Sequence, residues 1–150
     1  MKQKKVLLIS SSGGHWVQMN RLLPAVADQQ LYFCCTDRGY RDQTNGKPFF
    51  YVLDASQTSK FKLLIQAVMV LGVVLRVMPH VVITTGAAPG FFALFFARLL
   101  GRKTIWLDSI ANVHEVSLAG AKARKYADLY LTQWPQLAVE GGPEHSGAVI

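Results

Sequence analysis

The chain has 150 residues, of which 51% are hydrophobic and 17% charged, with 16 Lys and Arg against 9 Asp and Glu for a net charge of +7. That length supports one domain with a full core and leaves no room for two, and so apolar a chain with so few charges excludes disorder. A pI near 9.7 and a mean hydropathy of +0.22 point to an anionic membrane surface or an anionic ligand as readily as to nucleic acid.

The start, Met1-Lys2-Gln3-Lys4-Lys5, leads into an apolar run over 6–9 that is too short for a signal peptide and reads as a buried first strand. Ser10 to His15 supply a turn, and Met19, Leu22, Leu23 and Val26 recur at helical spacing, so a helix follows. Residues 31–36 make a second strand, 37–48 a polar, mobile loop, and 49–53 a short third strand. The longest helix is expected over 60–77. A strand over 81–85 closes on Gly86-Ala87-Ala88, and Pro89 suits the first turn of a helix that continues over 91–100. A strand over 103–107, a helix over 116–126 and a last strand over 129–132 complete the series, and the Gly- and Pro-bearing tail from Glu140 reads as frayed. Strands alternating with helices predict a parallel, Rossmann-like α/β sheet covered on both faces. The two cysteines, Cys34 and Cys35, are neighbours that cannot readily bridge, which excludes a disulfide framework and fits a reducing compartment.

Two helices stand out for their apolarity. Between Leu63 and Leu75 only Gln66 is polar, yet the run ends at Arg76 and Pro79, short of a membrane span. Phe91, Phe92, Phe95 and Phe96 crowd the next helix. Either both helices pack on the sheet as core, or Leu63, Leu64, Val68, Leu71, Phe91, Phe92 and Phe95 contact lipid or a partner. Lys60, Lys62, Arg76, Arg98, Arg102 and Lys103 flank these segments and could meet anionic headgroups, or lie on an ordinary solvated surface.

The glycine-rich turn Ser11-Ser12-Gly13-Gly14-His15 opens the first helix, where backbone N–H groups and the helix dipole favour an anion. It meets neither the GxGxxG nor the Walker pattern. His15 lies at the usual ligand edge of such a sheet, as a ligand contact or general base, or as an exposed helix-start histidine. Thr85, Gly86, Ala87 and Pro89 repeat the arrangement after a later strand, as a second ligand turn or merely a tight one. Asp108 ends another strand and suits catalysis or a turn cap. Asn112 and Glu115 have capping-box spacing, so Glu115 either caps or catalyses. Lys122, Arg124 and Lys125 form a basic patch whose default is a solvated face. Trp134 follows the last strand, suited to a subunit contact or to the core. Basic residues are scattered, without a nucleic-acid motif, and no ligand cluster calls for a metal.

Five segments occur in one order: Ser-Ser-Gly-Gly-His at 11–15, Thr-Thr-Gly-Ala-Ala-Pro-Gly at 84–90, Trp-Leu-Asp-Ser-Ile-Ala-Asn-Val at 106–113, Ser-Leu-Ala-Gly at 117–120 and Ala-Asp-Leu-Tyr-Leu-Thr-Gln-Trp-Pro at 127–135. Together they resemble the PssD/CpsF-type polysaccharide biosynthesis proteins, bacterial relatives of the membrane-recruiting subunit of the eukaryotic two-part N-acetylglucosaminyltransferase. The resemblance extends from Lys5 to about Ala138. More distantly, the chain is similar to the acceptor half of the enzyme that adds GlcNAc to lipid I.

The resemblance implies the N-terminal, acceptor- and membrane-binding half of a split GT-B glycosyltransferase. A partner chain would supply the C-terminal half and most of the UDP-sugar site. The acceptor would be a lipid-diphosphate-linked saccharide, and the location the cytoplasmic face of the inner membrane. It places Gly13, Gly14 and His15 at the acceptor cleft with Gly86 nearby, and makes His15 the first candidate for base, ahead of Asp108 and Glu115. It implies no cofactor. The eukaryotic subunit carries an N-terminal anchor that this sequence lacks, so attachment is expected to rest on the internal apolar helices, the partner or the lipid. A non-catalytic recruiter of a partner transferase is the alternative.

Overall fold

The computed structural model describes residues 2–56 and 58–149. Seven strands form one parallel sheet in the order β3-β2-β1-β4-β5-β6-β7: β1 (Lys5–Ser10), β2 (Gln30–Cys35), β3 (Phe49–Tyr51), β4 (Val81–Thr84), β5 (Lys103–Leu107), β6 (Leu129–Thr132) and β7 (Glu144–His145). From β1 the chain builds outward through β2 and β3, then returns to lay β4 on the other side of β1. The order therefore reverses between β1 and β4, and the crevice beyond their carboxyl ends is where a sheet of this kind receives ligands.

Strand alternation divides the core into two layers. Leu7 and Ile9 face one side with Val70, Val74, Leu94 and Trp106, while Val6 and Leu8 face the other with Trp16, Met19 and Phe33. The first layer is covered by α3 (Lys60–Val77), α4 (Ala87–Leu99) and α5 (Leu118–Ala123), the second by α1 (Gly14–Arg21) and α2 (Leu23–Val26). The parallel sheet covered on both faces is thus the one expected from the sequence.

Helix ends follow local chemistry. At α3, Ser59 caps the start by accepting from the Lys62 amide, and Met78 closes the end at φ 47° just before Pro79. Between α1 and α2 the expected single helix is broken. Pro24 has no N–H to give the Asn20 carbonyl, and Leu22 instead bonds back to the Met19 carbonyl at 3.0 Å. Gly90 lets α4 lie directly on β4, because a Cβ there would sit 2.1 Å from Thr84 Oγ1.

Three other expectations need correction. Residues 37–48 are not an open loop. They contain a 3-10 helix (Arg38–Thr44), capped by the Asp37 carboxylate accepting from the Gly39 amide at 2.8 Å. Its Tyr40 ring stacks on Trp16 at 4.8 Å, and Trp16 Nε1 donates to Gln43 Oε1 at 2.9 Å. The helix expected over 116–126 is shorter, because Ser117 is its N-cap and residues 124–126 tighten into a 3-10 turn. The tail beyond Glu140 adds β7, which pairs with β6 through Glu144 and His145.

Asp128, at the start of β6, accepts from the Thr104 amide at 2.9 Å and pairs with Arg98 of α4. Burial raises its pKa, but the Thr104 amide and the Arg98 guanidinium outweigh that and hold the carboxyl below its ordinary value. A depressed carboxylate pKa stabilises the fold above the ordinary carboxylate range, and that contribution is lost as pH falls through the lowered value. Asp128→Asn should therefore lower the unfolding free energy at pH 7, and the gap from the parent should close as denaturation is repeated at progressively acid pH. Gly90→Ala should destabilise by about 1–3 kcal/mol, read as a lower urea midpoint with an unchanged slope.

Candidate active site at the carboxyl edge of the sheet

Two strand-to-helix turns meet at the reversal between β1 and β4. Gly13 is the N-cap of α1 and Gly86 that of α4, and neither helix start receives a side-chain cap. The leading N–H groups of a helix have no carbonyl behind them, so two positive helix ends are left open beside one crevice. Both glycines take backbone angles that side chains resist, φ 77° at Gly13 and 132° at Gly86. Ala87 follows at φ 70°, a left-handed conformation costing about 1–2 kcal/mol for a residue with a Cβ. Pro89 is buried as the third residue of α4, where an N–H would lack an intrahelical partner in any case. Its part is to start the helix.

His15 ties the turns together. Its Nδ1 lies 3.0 Å from the Thr85 carbonyl oxygen, and Thr85 Oγ1 donates to the His15 carbonyl at 2.6 Å. A carbonyl can only accept, so Nδ1 carries the proton and the Nε2 lone pair is left for a substrate. The ring lies over Gly86, where a Cβ would come within 2.9 Å of it. Not every N–H of the first turn is open. The Ser12 amide donates to Thr36 Oγ1 at 3.1 Å and the Gly13 amide to the Tyr40 hydroxyl at 3.1 Å. Ser11 accepts from the Ser10 hydroxyl at 3.0 Å through its carbonyl. Among the described residues, the amides of Gly14, His15, Ala87 and Ala88 at the two helix starts have no hydrogen-bond partner.

Asp108 is not placed beside His15. It is 1% exposed, and its oxygens accept from Trp106 Nε1 at 3.0 Å, the Ser117 amide at 2.8 Å, the Ser117 hydroxyl at 2.5 Å and Asn112 Nδ2 at 3.3 Å. Gly120 leaves the space for this carboxylate, since a Cβ there would lie 2.7 Å from Asp108 Oδ1. A carboxylate so enclosed holds the loop from β5 to α5 rather than meeting substrate. The neighbouring Tyr130 hydroxyl is buried without a partner, and burial, then the Asp108 charge, push its phenol well above the ordinary value. Glu115 is exposed and does not cap α5, a place Ser117 takes by accepting from the Gly120 amide at 2.9 Å.

Two buried glutamines that sequence reasoning passed over complete the edge. Gln18 Oε1 accepts from the Ile110 amide at 3.1 Å and from Gln133 Nε2 at 2.6 Å, and Gln133 Nε2 also donates to the Asp108 carbonyl at 2.9 Å. Trp134 belongs here and not to the apolar helices, its indole N–H donating to the Ile110 carbonyl at 2.7 Å.

The apolar helices divide by face. Phe91, Phe92 and Phe96 are half-buried against the core, and Phe91 and Phe95 pack edge-on to Tyr126 at 6.0 and 5.1 Å. On α3, Leu63 and Leu71 are half-buried, whereas Leu64 and Val68 are each 62% exposed. Phe61 at 73% and Leu118 at 57%, which the sequence did not single out, join that outer surface. Among the described residues, no helix is long and apolar enough to cross a membrane.

Asp108→Asn should destabilise by roughly 2–4 kcal/mol, because an amide nitrogen would face buried donors. Glu115→Gln should leave the unfolding midpoint unchanged, and thermal denaturation of the two variants side by side checks both.

Known proteins of this architecture are GT-B enzymes and their relatives. MurG from Acinetobacter baumannii superposes with a TM-score of 0.78 at 15% identity, covering 98% of this chain and 46% of that one. The UDP-N-acetylglucosamine 2-epimerase of Rickettsia bellii superposes at 0.74 and 12% identity, covering 98% and 45%. Likeness at such identity speaks to the fold. In sequence, the UDP-N-acetylglucosamine transferase subunits ALG14 of Yarrowia lipolytica and Eremothecium gossypii are each 36% identical over 66 residues, which is 40% of this chain. The match spans 31% and 30% of those two relatives, about a third of their length. The family model described as "Oligosaccharide biosynthesis protein Alg14 like" matches residues 50–147. With most of its length inside that match, the chain belongs to the Alg14-like family of oligosaccharide biosynthesis proteins.

Proposed function

We propose that the chain is the acceptor- and membrane-binding subunit of a two-component glycosyltransferase. Its partner, a C-terminal-half subunit, binds the UDP-sugar, and the sugar passes to a lipid-diphosphate-linked saccharide in polysaccharide or glycolipid biosynthesis of the PssD/CpsF type. The observation that carries this reading is the meeting of the turns after β1 and β4, where two uncapped helix starts and His15, held through its Nδ1, converge. The names of the relatives, UDP-N-acetylglucosamine transferase subunits, favour that donor.

The chemistry follows from the geometry. Helix starts of α1 and α4 attract the acceptor diphosphate. The acceptor hydroxyl attacks the anomeric carbon of the donor sugar, a C–O bond forms, and the bond to the UDP oxygen breaks with its electron pair leaving on UDP. Nε2 of His15 takes the hydroxyl proton, and Nδ1–H bonded to Thr85 steadies the imidazolium that results. Displacement from the opposite face inverts the anomeric centre. Asp108 and Glu115 take no part in the proton transfer, the first being enclosed and the second unconnected to His15 by any hydrogen bond among the described residues.

The layer α3–α4–α5 supplies the membrane contact. Phe61, Leu64, Val68 and Leu75 form an exposed stripe along α3, Lys60, Lys62 and Arg76 border it, and the sequence holds no Asp or Glu between Asp54 and Asp108. An apolar stripe rimmed by cations suits the cytoplasmic face of an anionic bilayer.

A second reading, a non-catalytic recruiter, draws on the relatives being named as subunits. Reconstituted with its partner, His15→Ala should lower kcat about 100-fold or more while the donor KM stays near the parent value. Unchanged kcat would favour the recruiter. Replacing Leu64 and Val68 by Glu should abolish sedimentation with anionic vesicles without moving the unfolding midpoint, since both side chains are exposed.

A further inference from the structure

The strand order leaves β3 at one edge of the sheet, two strands away from β1 and its crevice. Two bonds fix its pairing phase. The Phe33 amide donates to the Pro48 carbonyl at 2.9 Å, and the Val52 amide donates to the Cys35 carbonyl at 3.1 Å. In a parallel ladder successive residues turn their backbone groups to opposite sides of the strand. Phe50 therefore faces β2, while Phe49 and Tyr51 turn their N–H and C=O groups outward. Among the described residues nothing takes up that outer row.

The surroundings of this edge are basic. A cavity of about 390 Å3 lies beside the start of β3, lined by Arg41, Asp42, Lys47 and Phe49 among others. Phe49 and Tyr51 are two residues apart, so their rings share one face of the sheet. Over that face the 3-10 helix (Arg38–Thr44) lays two guanidinium groups, Arg41 at 5.7 Å from the Phe49 ring and Arg38 at 4.2 Å from the Tyr51 ring. Arg38, Arg41 and Lys47 are exposed and make no ion pair among the described residues. Asp42 is the one carboxylate on the cavity, and the nearby Asp37 carboxylate is taken by the Gly39 amide.

An open edge invites another strand, and charge decides which strand it accepts. A second copy paired β3 to β3 would set arginines against arginines. A strand with acids at alternate positions would instead place one carboxylate beside each guanidinium, at the spacing of about 7 Å that separates alternate residues of a strand.

We propose that the β3 edge is a docking site for an extended acidic segment of another protein, which adds a strand to the sheet. Its main chain bonds to Phe49 and Tyr51, its acids two residues apart meet Arg41 and Arg38, and Lys47 meets an acid beyond them. Main-chain bonds supply the affinity and the alternating acids the selection. The site is lateral to the crevice between β1 and β4. Its occupant is therefore distinct from the donor-binding subunit, and the proposal stands independently of the transferase reading.

The probe is the fluorescently labelled peptide Glu-Val-Glu-Val-Glu, titrated with the full chain and followed by anisotropy. It should bind about tenfold or more tightly than the permuted peptide Val-Val-Glu-Glu-Glu, which carries the same charge. Replacing both Arg38→Gln and Arg41→Gln, at exposed positions, should weaken it about tenfold without moving the unfolding midpoint. Two further forms, N-methylated on the Glu amides or on the Val amides, should part: the set facing the edge loses binding and the other keeps it. Two methylated forms that behave alike would overturn the proposal, as would equal affinity for the permuted peptide or binding that ignores the arginine replacements. Absence of binding up to about 1 mM would also overturn it. So would a dimer in sedimentation velocity that the peptide dissociates, since the edge would then belong to a second copy.

Discussion

The two hydrogen bonds exchanged by His15 and Thr85 are the constraint on which the carboxyl edge depends. Each residue sits in the turn after one of the two adjacent strands, β1 and β4, and each uses the other's backbone carbonyl. The exchange fixes the spacing of the two helix starts and sets the imidazole tautomer in one stroke. It works only because Gly86 has no side chain, as a Cβ there would strike the ring at 2.9 Å. The glycines at 13 and 86 thus serve together. They leave both helix starts uncapped, and they let a histidine lie flat across the gap between them.

Around that pair the edge is built from irregular chain, and irregular chain has to find partners for its backbone. Here the partners are buried side chains. Gln18 reaches from α1 to the Ile110 amide, Gln133 reaches from the end of β6 to the Asp108 carbonyl, and the Asp108 carboxylate gathers Trp106, Asn112 and Ser117. Gly120 again provides the room. An acid at a strand end is a natural suspect for catalysis, but a buried one whose oxygens already accept from four donors has little left to offer a substrate. What it does is hold Trp106, Asn112 and Ser117 of the chain from β5 to α5 together.

Much of this fold was legible because it is written in local pattern. Strands over 103–107 and 129–132 and the helix over 60–77 fall where apolar runs and punctuation put them, with Ser59 at one end of that helix and Met78-Pro79 at the other. The parts that were not legible depend on contacts distant in sequence. The 3-10 helix at 38–44 is polar and turn-rich in composition, and its order comes from Tyr40 lying on Trp16. Strand β7 has no apolar alternation to announce it, since it is the two polar residues Glu144 and His145, both exposed, paired to the edge of β6. At the site, the glycine turns and His15 were visible as a strand followed by small residues and a helix. That Asp108 would be consumed by Ser117 was not, because eight residues lie between them and nothing in their spacing says that they meet.

The α3–α4–α5 layer shows the same limit from another side. Sequence gave an all-round apolar α3, which left open whether the helix is enclosed or bare. Packing answers with an asymmetric helix. Val70, Val74 and Val77 enter the core, and Gln66 turns inward to hold the Leu53 carbonyl at 2.9 Å, while Phe61, Leu64 and Val68 are left outside. A polar residue spent on the inside and large apolar ones on the outside invert the usual division of a sheet-flanking helix. Fold stability does not require that inversion, since exposed Phe and Leu contribute little to the core. The bilayer contact proposed above accounts for it. Because the helix between two parallel strands runs against them, the starts of α3 and α4 lie at the same edge as the His15 crevice. Under the proposed function, this geometry sets the open helix starts beside the headgroups, where a lipid-linked acceptor enters sideways without leaving the membrane.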